Sequence, residues 1–302
     1  MIVYDVQNLV KTYAGAAEPA NKGISFQVRQ GEIFGILGDN GAGKTTLIKQ
    51  MVNLLASDSG EILLYGKSIA QDSLYLPSLV GYMPQESHAL NQLTVGEALY
   101  YSAHLRGMTR RAAIDERNRL LKIWDMEDLR DHTSSRLSGG QRRLLRLAVA
   151  TAASSKVLVL DEPTNDLDPQ KRRLVWENLR RINRDRGTTI IFITHDALEA
   201  EKIIERVGIL HQGELVVTGA PHILKRNLKN KLRLEIAFEP GRPPTLATDL
   251  VPRQLTATRW QLYLGQHQLG DVIAALDIDR LTDMKLSSAT LEDLYFHYVD
   301  AV

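Results

Sequence analysis

Short apolar runs alternate along this chain with longer stretches whose apolar residues recur at helical spacing. Val3 to Leu9 and Ile24 to Val28 predict short strands with turn residues between them. Residues 32–37 (EIFGIL) form a compact apolar run that stops at a glycine. Over Lys44 to Leu55, Leu47, Ile48, Met51, Leu54 and Leu55 fall on one helical face, so the order is strand, glycine-rich loop, helix. Glu61 to Tyr65 and Val80 to Met83 predict further strands. From Thr94 to Trp124 the spacing is helical, broken at Gly107 and restarted behind Thr109 as N-cap. Gln141 to Ala153 predicts another helix, and Arg172 to Arg186 one stopped by Gly187. Val157 to Leu160 and Thr189 to Thr194 are apolar on every position, the pattern of strands buried on both faces of a parallel sheet. Strands alternating with helices predict an α/β fold, a mostly parallel sheet with helices on both faces.

The texture changes after Gly219-Ala220-Pro221. Lys225 to Lys231 is basic, residues 239–244 (EPGRPP) are a loop, Thr258 to Leu264 a strand and Leu291 to Val299 a helix. The expected division is a main domain over 1–222 and a small α+β accessory domain over 223–302.

Composition narrows the function more than the fold. With 302 residues, 44% of them hydrophobic, a sizeable core is expected. The 37 basic and 36 acidic side chains leave a net charge of +1, which argues against a protein that binds nucleic acid through a basic excess. There are no cysteines, so disulfides and thiolate chemistry are impossible. No run approaches the roughly 18 apolar residues of a membrane span, and Met1 to Val10 lacks the features of a secretory signal. The expectation is a cytoplasmic chain.

The glycine-rich loop reads Gly38-Asp39-Asn40-Gly41-Ala42-Gly43-Lys44-Thr45, followed by Thr46. Glycines allow backbone N–H groups to converge on phosphate oxygens, and the following helix N-terminus adds about half a positive charge. Lys44 is placed to reach the β and γ phosphates, and the Thr45 hydroxyl to ligate Mg²⁺. Such a loop predicts ATP binding. Asp161 and Glu162 close the apolar run 157–160, at the strand end where open α/β sheets bind ligands. Asp161 is suited to hold Mg²⁺, usually through water, and Glu162 to orient or deprotonate an attacking water. His195 follows Thr189 to Thr194 and is expected at the same sheet edge.

Leu137-Ser138-Gly139-Gly140-Gln141 reads on its own as a capped helix start whose exposed N–H groups face an anion. The pentapeptide resembles the signature motif of the nucleotide-binding domains of ABC transporters, and the other motifs follow in the family's order. The resemblance spans about residues 1–222. It implies a RecA-like P-loop NTPase core, an N-terminal antiparallel β subdomain and a helical subdomain carrying the signature motif over about 86–154. It implies that Tyr13 stacks on adenine and that Gln85 touches Mg²⁺ and senses a membrane partner. Asp168, in the run Asn165-Asp166-Leu167-Asp168, would cross a dimer interface, and His195 would be the switch histidine. Ser138, Gly139, Gly140 and Gln141 would bind ATP held by the phosphate loop of a second subunit, in a homodimer or heterodimer. The segment before Leu167 departs from the small or glycine residue often seen in exporter subunits.

Within that family three roles compete. A membrane exporter's ATPase fits the stretch from Leu93-Thr94-Val95-Gly96-Glu97 to Leu105-Arg106-Gly107 and the tail Leu291-Glu292-Asp293-Leu294-Tyr295-Phe296. An importer ATPase would carry a longer regulatory tail, and a soluble ABC ATPase acting on ribosomes or nucleic acid would carry a second ATPase domain or long coiled coils. The exporter role predicts separately encoded membrane-spanning permease subunits, a position at the inner face of the cell membrane, and no direct nucleic-acid contact.

Overall fold

The computed structural model describes residues 1–72, 74–197, 201–226, 231–246 and 251–299. Its contacts divide the chain into two units, Met1–Thr218 and Gly219–Val302.

The first unit holds two sheets. The six-stranded sheet runs β10(Glu214–Gly219)-β9(Arg206–His211)-β3(Ile33–Leu37)-β8(Thr189–Thr194)-β7(Val157–Asp161)-β6(Val80–Met83). The β9–β3, β3–β8, β8–β7 and β7–β6 pairings are all parallel. Every residue of β3, β7 and β8 is buried, as their uninterrupted apolar sequences require. The four-stranded sheet runs β2(Asn21–Arg29)-β1(Ile2–Lys11)-β4(Ser59–Leu64)-β5(Lys67–Ser68), antiparallel in each pairing. One cluster, including Val6, Phe26, Phe34, Ile48, Met51 and Val159, joins the two sheets through α1(Lys44–Met51).

Between β6 and β7 lie α3(Val95–Leu105), α4(Arg110–Ile123) and α5(Gly139–Ala150); a short α2(Tyr75–Leu79) precedes β6. Thr94 caps α3 in a capping box with Glu97, and Thr109 caps α4. Trp124, fully buried, ends α4 and donates its indole N–H to Thr151 Oγ1 at 3.3 Å. α6(Pro169–Arg186) starts at the N-cap Asp168 and stops at Gly187 in the left-handed region. No helix among the described residues is long and apolar enough to cross a membrane.

The second unit is a four-stranded antiparallel sheet, β12(Arg253–Thr256)-β13(Arg259–Gly265)-β11(Lys231–Phe238)-β14(Leu281–Ser288). The helices α7(Pro221–Arg226), α8(Leu269–Ala275) and α9(Leu291–Val299) complete it. Leu234, Ile236, Leu262 and Leu264 pack with Val272 and Leu276 of the α8 region. On the polar face Arg233 pairs with Glu235 and Asp293, and Tyr263 donates to Asp293.

Candidate nucleotide site

The site forms where β3, β7 and β8 end. β3 emerges into residues 38–43, and α1 begins at Lys44. Gly43 sits at φ +99°, and a Cβ there would come 2.2 Å from the Ala20 carbonyl oxygen, so only glycine fits. The Lys44 ammonium bridges the loop on which its helix starts, donating to the carbonyl oxygens of Gly38 at 2.7 Å and Asp39 at 2.8 Å. Burial holds Lys44 below the ordinary lysine value, partly countered by Glu162 and Asp161.

A cleft of about 200 Å³ is lined by Asn40, Gly41, Gly43, Lys44, Thr45, Thr46, Gln85, Asp161 and Glu162, with Ala20. Residues separated by more than a hundred positions therefore meet in one place, because β6, β7 and β3 are near neighbours in a parallel sheet whose strands end together. Asp161 is buried, and neither carboxylate oxygen has a hydrogen-bond partner. Burial, then the neighbouring Glu162, raises its pKa from 3.8 to about 6. A buried carboxylate left without donors is a demand for a cation. Thr45 and Gln85 line the same cleft, and their side chains carry neutral oxygens, the hard donor type Mg²⁺ prefers. The residues present fit that ion.

Glu162 takes a left-handed backbone conformation, φ +53°, uncommon for a residue with a side chain. Its N–H still donates to the Ile193 carbonyl at 3.0 Å, extending the β7–β8 ladder by one residue. Its carboxylate accepts from His195 Nδ1 at 2.8 Å. Tyr13 lies beside the loop, its hydroxyl 3.2 Å from Thr46 Oγ1. The structure thus brings Tyr13, Gly38 to Thr46, Gln85, Asp161, Glu162 and His195 together.

Ser138 to Gln141 do not line this cleft. Ser138 caps α5 in a reciprocal box with Gln141, and Ser138 and Gly139 face solvent. Asp168 is likewise outside the cleft, its carboxylate bound to the Lys171 N–H at 2.9 Å as the cap of α6. A Cβ on Gly140 would meet Leu167 Cδ2 at 3.3 Å, so the signature turn and the loop before α6 lie against each other.

Two residues escaped the sequence reading. Arg143, buried on α5, donates to the Glu162 main-chain carbonyl and pairs with Asp166 Oδ2 at 3.5 Å. Arg146, one turn further along α5, donates to the Gln85 carbonyl. The only available signal was their helical spacing behind the signature motif.

Parallel strands ending in a phosphate loop, with an acidic pair one strand removed at the end of β7, define a P-loop NTPase. The profile of the ABC transporter family matches residues 21–165. Nod factor export ATP-binding protein I of Burkholderia orbicola (strain AU 1054) is 39% identical over 220 residues, which cover 73% of this chain and 71% of the relative. Phospholipid-transporting ATPase ABCA3 of Homo sapiens is 36% identical over 232 residues, 77% of this chain; that match spans only 14% of the relative's length. A solved bacterial ABC transporter cassette, MJ0796, captured as a dimer, superposes with a TM-score of 0.67 at 24% identity, over 72% of this chain and 98% of the cassette. The chain belongs to the ABC transporter family and is one of its ATP-hydrolysing subunits.

Proposed function

We propose that this chain powers an exporter by closing with a second ATPase chain around ATP. Residues 1–222 would act as the cassette, with residues 223–302 as an accessory domain. The carrying observation is the separation within one chain: the phosphate loop, Gln85, Asp161 and Glu162 share a cleft, while the turn at Ser138 to Gln141, exposed at Ser138 and Gly139, lies outside it. That turn offers helix N-terminal N–H groups to an anion its own chain does not hold. The export direction is supported by the name of the Burkholderia relative above.

In this reading Tyr13 stacks on adenine, and the loop N–H groups with Lys44 hold the phosphates. Mg²⁺ would be held by Thr45, Asp161 and Gln85, supplying charge neutralisation for the transferred phosphoryl group. Glu162 accepts the proton of the attacking water. His195 holds that carboxylate through Nδ1, which leaves Nε2 as the ring's remaining hydrogen-bonding atom. Asp168 would meet the partner chain across the closed dimer.

The permease would dock on an apolar cleft of about 670 Å³ lined by Leu54, Leu74, Leu76, Tyr82 and Leu105. Leu54, Leu74 and Leu105 are 66, 78 and 85% exposed, unusual for leucines converging on one concavity. The cleft joins the end of α1 to α3, beside the strand that leads to Gln85. Docking there would place the chain at the inner face of the membrane.

Glu162→Gln tests the sandwich. Turnover should fall at least about 10²-fold, the scale of a lost general base, and the variant should accumulate as an ATP-bound dimer by light scattering. Normal turnover together with a monomer in ATP would overturn the reading.

A further inference from the structure

The C-terminal unit ends in an open sheet edge. β14 pairs with β11 on one side, and no described strand pairs with its other side. Of its eight residues, six are exposed and none is buried, so neither face is covered along most of its length. Yet β14 carries apolar side chains in register with the core: Met284 stands opposite Ile236 and Leu286 opposite Leu234, both buried. Met284 is 42% exposed and Leu286 43%. An eight-residue edge without proline, bearing an apolar row, is a template for another strand.

The charges on the opposite face say which strand. Asp283 and Lys285 are two residues apart and share that face. In an antiparallel pairing of β14 with a second copy of itself, residues directly opposite must share a face, so the two-fold axis falls on a residue. Centred on Lys285 it would oppose two lysines; centred on Asp283, two aspartates. Centred on Met284 it sets Asp283 against the partner copy's lysine, and Lys285 against its aspartate, while Met284 meets its own counterpart; these three positions lie in the part of β14 whose register is unbroken, the slip in its pairing with β11 falling at Thr282. Opposite charges directly across a strand pair stabilise it, and like charges there oppose it. Within the chain, Asp283 already meets Arg259 at 3.2 Å, whereas Glu235, across from Lys285, is engaged by Arg233. Lys285 is thus the charge with most to gain from a second copy.

We propose that two copies of this chain pair antiparallel through β14, centred on Met284, joining their C-terminal sheets into one of eight strands without need of nucleotide. This contact is separate from the ATP-dependent closure proposed above and does not rest on it.

The test uses the full chain, nucleotide-free, in sedimentation velocity. The parent should sediment as a reversible dimer. Asp283→Lys and Lys285→Asp each turn two attractive pairs into two repulsive ones and should raise the dissociation constant at least about tenfold. Mixing the two variants should restore dimers, since lysines at both positions then face aspartates at both. The double variant, Asp283→Lys with Lys285→Asp, should dimerise by itself. Recovery on mixing is a result that misfolded variants would not give. A parent that stays monomeric, or a mixture that stays dissociated, overturns the pairing. ATP-dependent dimerisation of Glu162→Gln is read separately, so either idea can fail alone.

Discussion

Asp161 is where this site departs furthest from what stability alone would select. Its carboxyl is buried without a hydrogen-bond donor, and its pKa rises from 3.8 to about 6. Below about pH 4 both folded and unfolded chains carry the proton and there is no penalty. As pH climbs past the ordinary value, the unfolded chain ionises while the folded one keeps its proton. The penalty therefore grows between 3.8 and about 6 and is constant above. Converted at about 1.4 kcal/mol per tenfold, it is roughly 3 kcal/mol at neutral pH. That shift already contains the attraction of Lys44, so Asp161→Asn, which resembles the neutral acid, should gain up to about 3 kcal/mol at neutral pH in the nucleotide-free chain.

Urea unfolding followed by tryptophan fluorescence measures this, since Trp124 and Trp176 are buried in the first unit. At about pH 7.5 Asp161→Asn should unfold at higher urea than the parent, and by about pH 4.5 most of the difference should be gone. The same variant should lose Mg²⁺-dependent ATP binding. A variant less stable than the parent at neutral pH, or a gap independent of pH, would refute the reasoning.

Gly43→Ala should lower ATP affinity at least about tenfold by calorimetry, because the new methyl meets the Ala20 carbonyl and the backbone must leave φ +99° at a cost of about 1–3 kcal/mol. Leu105→Glu, on a side chain exposed in the isolated chain, should leave basal ATPase activity within about twofold while abolishing copurification with the permease proposed above. Retained copurification would move the docking surface elsewhere.

What the sequence disclosed follows from the range of the interactions. The phosphate loop and the acidic pair were legible because strand, loop and helix are adjacent and each carries its own pattern. α1 was expected to reach Leu55 but stops at Met51. Asn53 turns to φ +56° and gives its amide to the Ile69 carbonyl at 3.2 Å, while the Leu54 and Leu55 N–H groups both return to the Lys49 carbonyl. A main-chain carbonyl just after β5 holds the Asn53 side chain where this helix ends, and no local pattern contains it. β10, β11 and β14 were also missed, their sequences mixing polar with apolar positions; β9 was missed too, its four buried residues being a run too short to stand out between Arg206 and His211. Arg143 and Arg146 were unreadable for a related reason: an arginine on an amphipathic helix reads as a solvated face until its distant partner is known.

Those two arginines change how the half-site should be understood. Arg143 holds the Glu162 carbonyl and Asp166, Arg146 holds the Gln85 carbonyl, and Gly140 abuts Leu167. The helix that begins at Ser138 is therefore fastened to the same chain's Glu162, its Gln85 loop and the loop before α6. Glu162 depends on such fastening, since its left-handed backbone is costly unless its surroundings fix it. A displacement of α5 must carry Glu162, Asp166 and Gln85 with it or break three charge-assisted contacts, of which the buried Arg143–Glu162 bond is worth about 1.5–3 kcal/mol and the two more exposed ones less. If the signature turn engages ATP held by the partner, the force of that contact is delivered to the donor's own Glu162, Asp166 and Gln85. Two half-sites joined this way are mechanically one.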